Sequence, residues 1–190
     1  YRFLYRVYRN PLTIIGLGGP FYALILNRIP RHAPGTVRRW RGVSCHSLNL
    51  SLLLALFLLW HAGIMESFLS MWLPAASLAA CIGVAIFFSG HQFENAYWAR
   101  KPAWNLADAS LAGSAFLAVP EPWGWITGYV GVHHVHHLNS RIPFYRIPDC
   151  LSENPELLQI NRTTLREALA ATRLALWDEE LERLIPIPNG

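Results

Sequence analysis

The chain has 190 residues, 53% hydrophobic and 13% aromatic, and only 15% charged, against about a quarter charged in an ordinary soluble domain. Its net charge of +4 rests on fifteen arginines and one lysine, with no helix-turn-helix, RNA-binding or zinc-finger pattern to accompany them, so nucleic acid is not an expected partner. The three cysteines, Cys45, Cys81 and Cys150, form no CxxC pair, which argues for buried thiols against a disulfide framework or a thiolate metal site.

The chain opens at Tyr1 with YRFLYRVYRN, which does not read as a signal peptide. We therefore expect the C-terminal part of a longer protein. Residues 11–26 are apolar but short for a span, and Gly16, Gly18, Gly19 and Pro20 interrupt them. Arg2, Arg6 and Arg9 precede this stretch, and Arg28 and Arg31 follow it. A segment that dips into a bilayer, or lies along its surface, accounts for basic flanks at both ends.

Two longer apolar runs follow, and together they predict a membrane hairpin over roughly 43–90. The stretch between Gly42 and Gly90 carries a single charged residue, Glu66, whereas Arg28 to Arg41 holds five arginines. A spanning helix needs about 20 mostly apolar residues, which the second run meets comfortably and the first just meets. The link at 64–67 has no lysine or arginine, while Arg38, Arg39 and Arg41 precede the pair and Arg100 and Lys101 follow it. The positive-inside tendency then puts both ends of the hairpin in the cytoplasm. Pro74 is tolerable in a membrane helix, where neighbouring groups satisfy the freed carbonyl.

From His91 the composition is mixed and rich in tryptophan. Trp98, Trp104, Trp123 and Trp125 suggest a cap resting at the membrane interface. Near the end, Thr164 and Glu167 have the spacing of a capping box. Leu174, Trp177, Leu181 and Leu184 recur at helical intervals, so an amphipathic helix is expected over 163–185. The fold class expected is all-α: an integral membrane helical protein with a histidine-rich cytoplasmic cap over 91–150.

Four of the eight histidines fall in HHVHH, His133 to His137. Imidazole binds iron, zinc and copper as the neutral base. On a helix, His133, His136 and His137 stand at i, i+3 and i+4 and share a face, whereas His134 points partly away and is a weaker candidate. Zinc and iron both suit such ligands, although closed zinc sites usually include cysteine and none is adjacent. His91, in GHQFEN, ends the second apolar run. It reads either as an interface anchor or as a ligand delivered by the helix end, with Glu94 and Asn95 available to orient imidazoles. His32, His46 and His61 lack such company and read as ordinary loop or interface residues.

The strings FSGHQFENAYWA, GSAFLAVP and TGYVGVHHVHHLNSRIPFYRIPDC resemble the last conserved stretch of bacterial acyl-lipid fatty acid desaturases, notably the delta-12 or omega-6 type. The resemblance extends over nearly the whole chain. It places that family's HxxHH box on His133, His136 and His137 and its QH histidine on His91, with Gly90 where the glutamine usually stands. It implies a non-haem centre of two iron ions, of whose ligands these four are about half, and the family's HDxxH and second HxxHH boxes are not in these 190 residues. It also implies O2-dependent formation of a cis double bond in a fatty acyl lipid or acyl thioester. Electrons would come from a ferredoxin or cytochrome b5 type donor, for which Arg100, Lys101, Arg141 and Arg146 offer a basic docking face. The location implied is the bacterial inner membrane, multi-pass, with the histidines cytoplasmic. An alkane or carotenoid hydroxylase shares the histidine logic, and an inactive remnant fits the missing boxes; both remain open at this point.

Overall fold

A computed structural model describes residues 1–29 and 36–188, with backbone alone for 36–41. Arg31 and His32, and the side chains of Arg38, Arg39 and Arg41, therefore lie outside the described residues. The chain forms two compact units, Leu12–Val84 and Tyr1–Pro11 with Ala85–Gly190.

Helix α1, Arg2–Tyr8, opens the chain and belongs to the second of these units. The unit Leu12–Val84 starts with a wide π-helical turn, Leu12–Leu17, that runs into α2, Gly18–Leu24. Pro20 is the third residue of α2, where the π-helical turn passes into the α-helix. Gly19 lies against the backbone of the long helix described below: a Cβ there would stand 3.0 Å from the Ala80 carbonyl oxygen and 3.2 Å from the Cys81 Cα. Small residues at such crossings let two backbones approach closely.

Helices α3, Thr36–His61, and α4, Met65–Ser89, make up the rest of this unit, with α4 running on into its neighbour. The link between them is only Ala62, Gly63 and Ile64, shorter than the expected 64–67, and Gly63 adopts φ 69°, the left-handed conformation that suits glycine at a helix end. Asn49 Nδ2 and Cys45 Sγ of α3 both donate to the Arg28 carbonyl, at 2.7 and 3.1 Å. Gly42–His61 and Met65–Ser89 are each long and apolar enough to cross a membrane, and no part of their most apolar stretches is buried within the protein. Leu12–Arg28 is apolar but shorter.

The other unit is mixed, not all-α. In chain order it holds the short helix α5, Leu106–Leu111, the strand β1, Phe116–Leu117, and the helices α6, Trp123–Ile126, α7, His133–Leu138, and α8, Ile147–Glu153. Strand β2, Arg162–Thr163, helix α9, Leu165–Ala171, and strands β3, Leu174–Asp178, and β4, Arg183–Pro186, complete it. Strands β1 and β2 pair in parallel, Phe116 opposite Arg162, while β3 and β4 form an antiparallel hairpin. The chain is thus mostly helical with two small sheets, which corrects the all-α expectation.

The helix expected over 163–185 is confined to α9. Thr164 and Glu167 form the reciprocal cap at its start. Its end at Thr172 is followed by strand, because residues 174–178 find a hydrogen-bonding partner in 183–186. The Asp178 carboxylate accepts from the amides of Glu180 and Leu181 and closes the turn. Pro186 and Pro188 lack the N–H groups that a continuing helix would use.

Helix α1 is held to this hairpin. Tyr5 Oη donates to the Ala175 carbonyl, Arg9 to that of Leu174 and Arg6 to that of Pro188. Two of the three leading arginines therefore have protein partners. One core cluster comprises Phe116, Val132, Val135 and Ile147; a second comprises Phe93, Ala96 and Ala115 with Leu184 against it. Between them these clusters fix β1 and the start of α7.

Candidate metal centre

Helix α4 ends in a turn that delivers His91, whose amide donates to the Phe88 carbonyl. The segment before β1 then bridges this helix end to α7 through backbone bonds. Ala115 N–H donates to the Gly90 carbonyl at 2.9 Å, and His133 N–H donates to the Ala115 carbonyl at 3.3 Å. Gly90 carries no Cβ, and one placed there would fall 2.7 Å from His133 Cδ2. The His133 ring thus occupies the space a side chain at position 90 would need.

These constraints bring three imidazoles together. His133 Nε2 lies 2.9 Å from His91 Nε2, His137 Nε2 lies 3.2 Å from His91 Nε2, and His133 and His137 Nε2 are 3.1 Å apart. Among the described residues, this is the group of His, Cys, Asp or Glu side chains that gathers three ligand atoms within 4.8 Å of one another. Phe87 stands edge-on to the rings of both His91 and His133, with centroids 5.5 and 5.7 Å away, and walls one side with hydrocarbon.

The protonation pattern suits a cation. The Gly113 carbonyl lies 3.2 Å from His91 Nδ1. A carbonyl can only accept, so Nδ1 carries a proton and Nε2 is the nitrogen turned toward the cluster. Metal-ligating histidines are commonly oriented in this way. Burial, followed by the like charges of His91, His137 and His136, pushes His133 down to about 4, with the Val130 carbonyl opposing weakly. Burial also lowers His137, with His91 and His136 adding to the effect. Both rings are therefore neutral at pH 7, the state that binds metal.

Three nitrogens at right angles about one ion, at metal–nitrogen lengths of about 2.1 Å, stand about 3.0 Å apart; a tetrahedral arrangement places them about 3.4 Å apart. The observed edges, 2.9, 3.1 and 3.2 Å, fall in the range that three donors to a single ion would span. All three donors are imidazole nitrogens, a set that suits iron, zinc, copper or nickel.

The other candidates fall elsewhere. His136 is exposed, with its ring stacked 6.0 Å from that of His133 and edge-on 5.9 Å from that of His137, outside the triangle. His134 is fully buried on the opposite side of α7, where Nε2–H donates to the Leu157 carbonyl at 3.0 Å and the ring lies 5.9 Å from Phe116. Burial lowers its pKa, with the Leu157 carbonyl opposing. Glu94 pairs with Arg183 at 2.5 Å, and Asn95 is exposed. The orienting partner of His91 is instead the backbone of Gly113. A carbonyl belongs to every residue, so no residue type could have announced it. His46 and His61 join no such cluster among the described residues, and His61 packs on Phe57 at 5.8 Å.

A histidine-only cluster at the end of a long apolar helix defines a class: proteins with the donors to hold a metal ion. Within that class the comparisons specify the family. The family model for fatty acid desaturases matches residues 1–167, and the chain belongs to the fatty acid desaturase family. A fatty acid desaturase of Bacillus subtilis (strain 168) is 31% identical over 186 residues, covering 95% of this chain and 51% of the relative. The chain thus spans about half the length of that relative. No solved structure matches it.

Proposed function

We propose that this chain forms part of a membrane-embedded desaturase of the delta-12 or omega-6 type, acting on a fatty acyl lipid or acyl thioester. The observation that carries this reading is the convergence of His91 with His133 and His137, from segments 42 and 46 residues apart, on one triangle of nitrogens. When bound, two iron ions supply the oxidising power by which O2, two electrons and two protons, with two hydrogens from adjacent methylenes, yield a cis double bond and two waters. The chain's own residues prepare for that chemistry. His91, His133 and His137 offer ring nitrogens for one ion, the Gly113 carbonyl accepts from His91 Nδ1–H, and the Phe87 ring stands edge-on to His91 and His133. His136 is exposed beside the triangle and supplies a donor toward a second ion.

The apolar surfaces of α3 and α4 favour a bilayer, since neither is covered by protein. We infer a multi-pass protein of the bacterial inner membrane, with His91 and the residues after it on the cytoplasmic side. A ferredoxin or cytochrome b5 type donor would meet basic side chains there. Arg100 pairs with Glu179 and Arg146 with Asp149. Of that basic set, Lys101 and Arg141 are exposed and stand outside the ion pairs among the described residues.

Cobalt(II) titration of the detergent-solubilised chain tests the centre. One ion per chain is expected, with affinity reduced by His91→Ala, His133→Ala or His137→Ala at least about a hundredfold, the upper range for losing even a ligand's hydrogen-bonding partner. His136→Ala should retain that ion. Equal binding by His133→Ala would remove the triangle as the site. For activity, the chain is joined to a segment bearing the family's other two histidine boxes, and host lipids are profiled. His133→Ala should then abolish new double bonds, and near-normal unsaturation would overturn the catalytic reading.

A further inference from the structure

The carbonyl that orients His91 sits on a loop, and a loop needs something to hold it. Residues 112–114 connect α5 to the segment before β1. Asn161, which immediately precedes β2, reaches this loop from 47 and 50 positions away: its Nδ2 donates to the carbonyls of Ser114, at 3.0 Å, and Leu111, at 2.8 Å. Those two carbonyls bracket Gly113. The Asn161 carbonyl in turn accepts from Phe116 N–H at 3.0 Å, so one residue grips both the loop and the strand that follows it.

The surroundings leave little freedom. Ser114 is fully buried and Ser110 is 2% exposed, so the two residues flanking the end of α5 and the loop are packed into the protein. A Cβ on Gly113 would fall 2.4 Å from the Ala109 carbonyl oxygen, which shows how closely the loop is folded onto the end of α5. Asn161 itself adopts φ 44°, a left-handed conformation that asparagine tolerates better than most residues. Its backbone aims the amide at the loop, and its two N–H groups satisfy two carbonyls at once.

We infer that Asn161 is a positioning residue, which holds the 111–114 loop so that the Gly113 carbonyl fixes the tautomer and direction of His91. The effect on metal affinity rests on the reading proposed above; the effect on His91 itself does not. Asn161 touches neither metal nor substrate in this account and acts only through the loop.

The test separates the two. Asn161→Gly keeps the left-handed backbone and removes the donors, while Asn161→Asp keeps the shape and sets a carboxylate against two carbonyls. With 15N-histidine labelling of the metal-free protein at neutral to mildly alkaline pH, His91 should populate a single Nδ1–H tautomer in the native chain. A mixture is expected in Asn161→Gly, and a larger departure in Asn161→Asp. Cobalt(II) affinity should fall about tenfold in Asn161→Gly, but less than about twofold when the same change is made in a His91→Ala background, because coupled residues do not add. A single unchanged tautomer in Asn161→Gly would overturn the inference, and so would an equal loss of cobalt affinity in both backgrounds, the mark of a general structural effect. A tautomer change in a chain that binds no cobalt would uphold the positioning role and defeat the metal reading.

Discussion

One turn of helix assigns neighbouring histidines to different tasks. His133 and His137 meet His91, His136 faces outward, and His134 is sealed into the core on the far side. Successive residues of an α-helix are about 100° apart, so i+3 and i+4 fall on opposite sides of residue i. His91 approaches from the i+4 side, which leaves His136 beside the triangle. The cluster HHVHH and the separate status of His134 were legible in the sequence, but the choice between i+3 and i+4 depended on where His91 stood. His134→Ala removes a fully buried ring and its bond to Leu157, at a cost of about 2–4 kcal/mol. Thermal unfolding in detergent should show that loss while the folded protein keeps its cobalt affinity; a lost site in a chain of native stability would make His134 a ligand. Acid should act through His133. Its folded pKa, about 4, lies below the ordinary 6.5, so the unfolded chain takes up the proton first. The stability this ring contributes is therefore complete above pH 6.5 and is lost as pH falls toward 4. Between pH 7 and 5 the metal-free chain should lose more stability than His133→Gln, and an equal loss in both would remove burial of this imidazole as the cause.

At the scale of elements, α7 is six residues long, far too short to persist alone. It forms because its first amide is bonded to Ala115 and because Val135, 1% exposed, and His134 are packed into the core. Elements of this kind are poorly legible in a sequence, since tertiary contacts create them. The C-terminal stretch shows the same lesson in reverse. Leu174, Trp177, Leu181 and Leu184 have helical spacing, yet β3 and β4 pair, and every residue of β3 is half-buried. Apolar residues on both faces of a short strand can reproduce a helical interval. The Thr164–Glu167 cap, by contrast, was readable because a capping box depends on residues only three apart. The α3–α4 pair was readable for a related reason, its long uninterrupted runs. With no lysine or arginine in the link Ala62–Ile64, the hairpin should place Gly63 outside and the C-terminal end inside the cell. Reporter fusions at those two positions should report opposite sides, and the same side for both would overturn the two-span topology.

For the molecule as a whole, the sequence by itself determined the properties that accumulate along the chain. Hydrophobic runs, the segregation of arginine, the clustering of histidine and the motif strings are all local, and they sufficed to indicate the family and the apolar helices. Tertiary structure decided what depends on distance through space. It brought His91 across 42 and 46 positions to two members of the histidine box, with Gly90 leaving room for the His133 ring. It also chose Gly113 as the orienting group in place of Glu94, which Arg183 engages. It further placed Asn161 against the loop that carries Gly113. The physical reason is common to all three. A backbone carbonyl has no residue-type signature, and the free volume at a glycine has none either, so their roles exist only once the chain has folded around them.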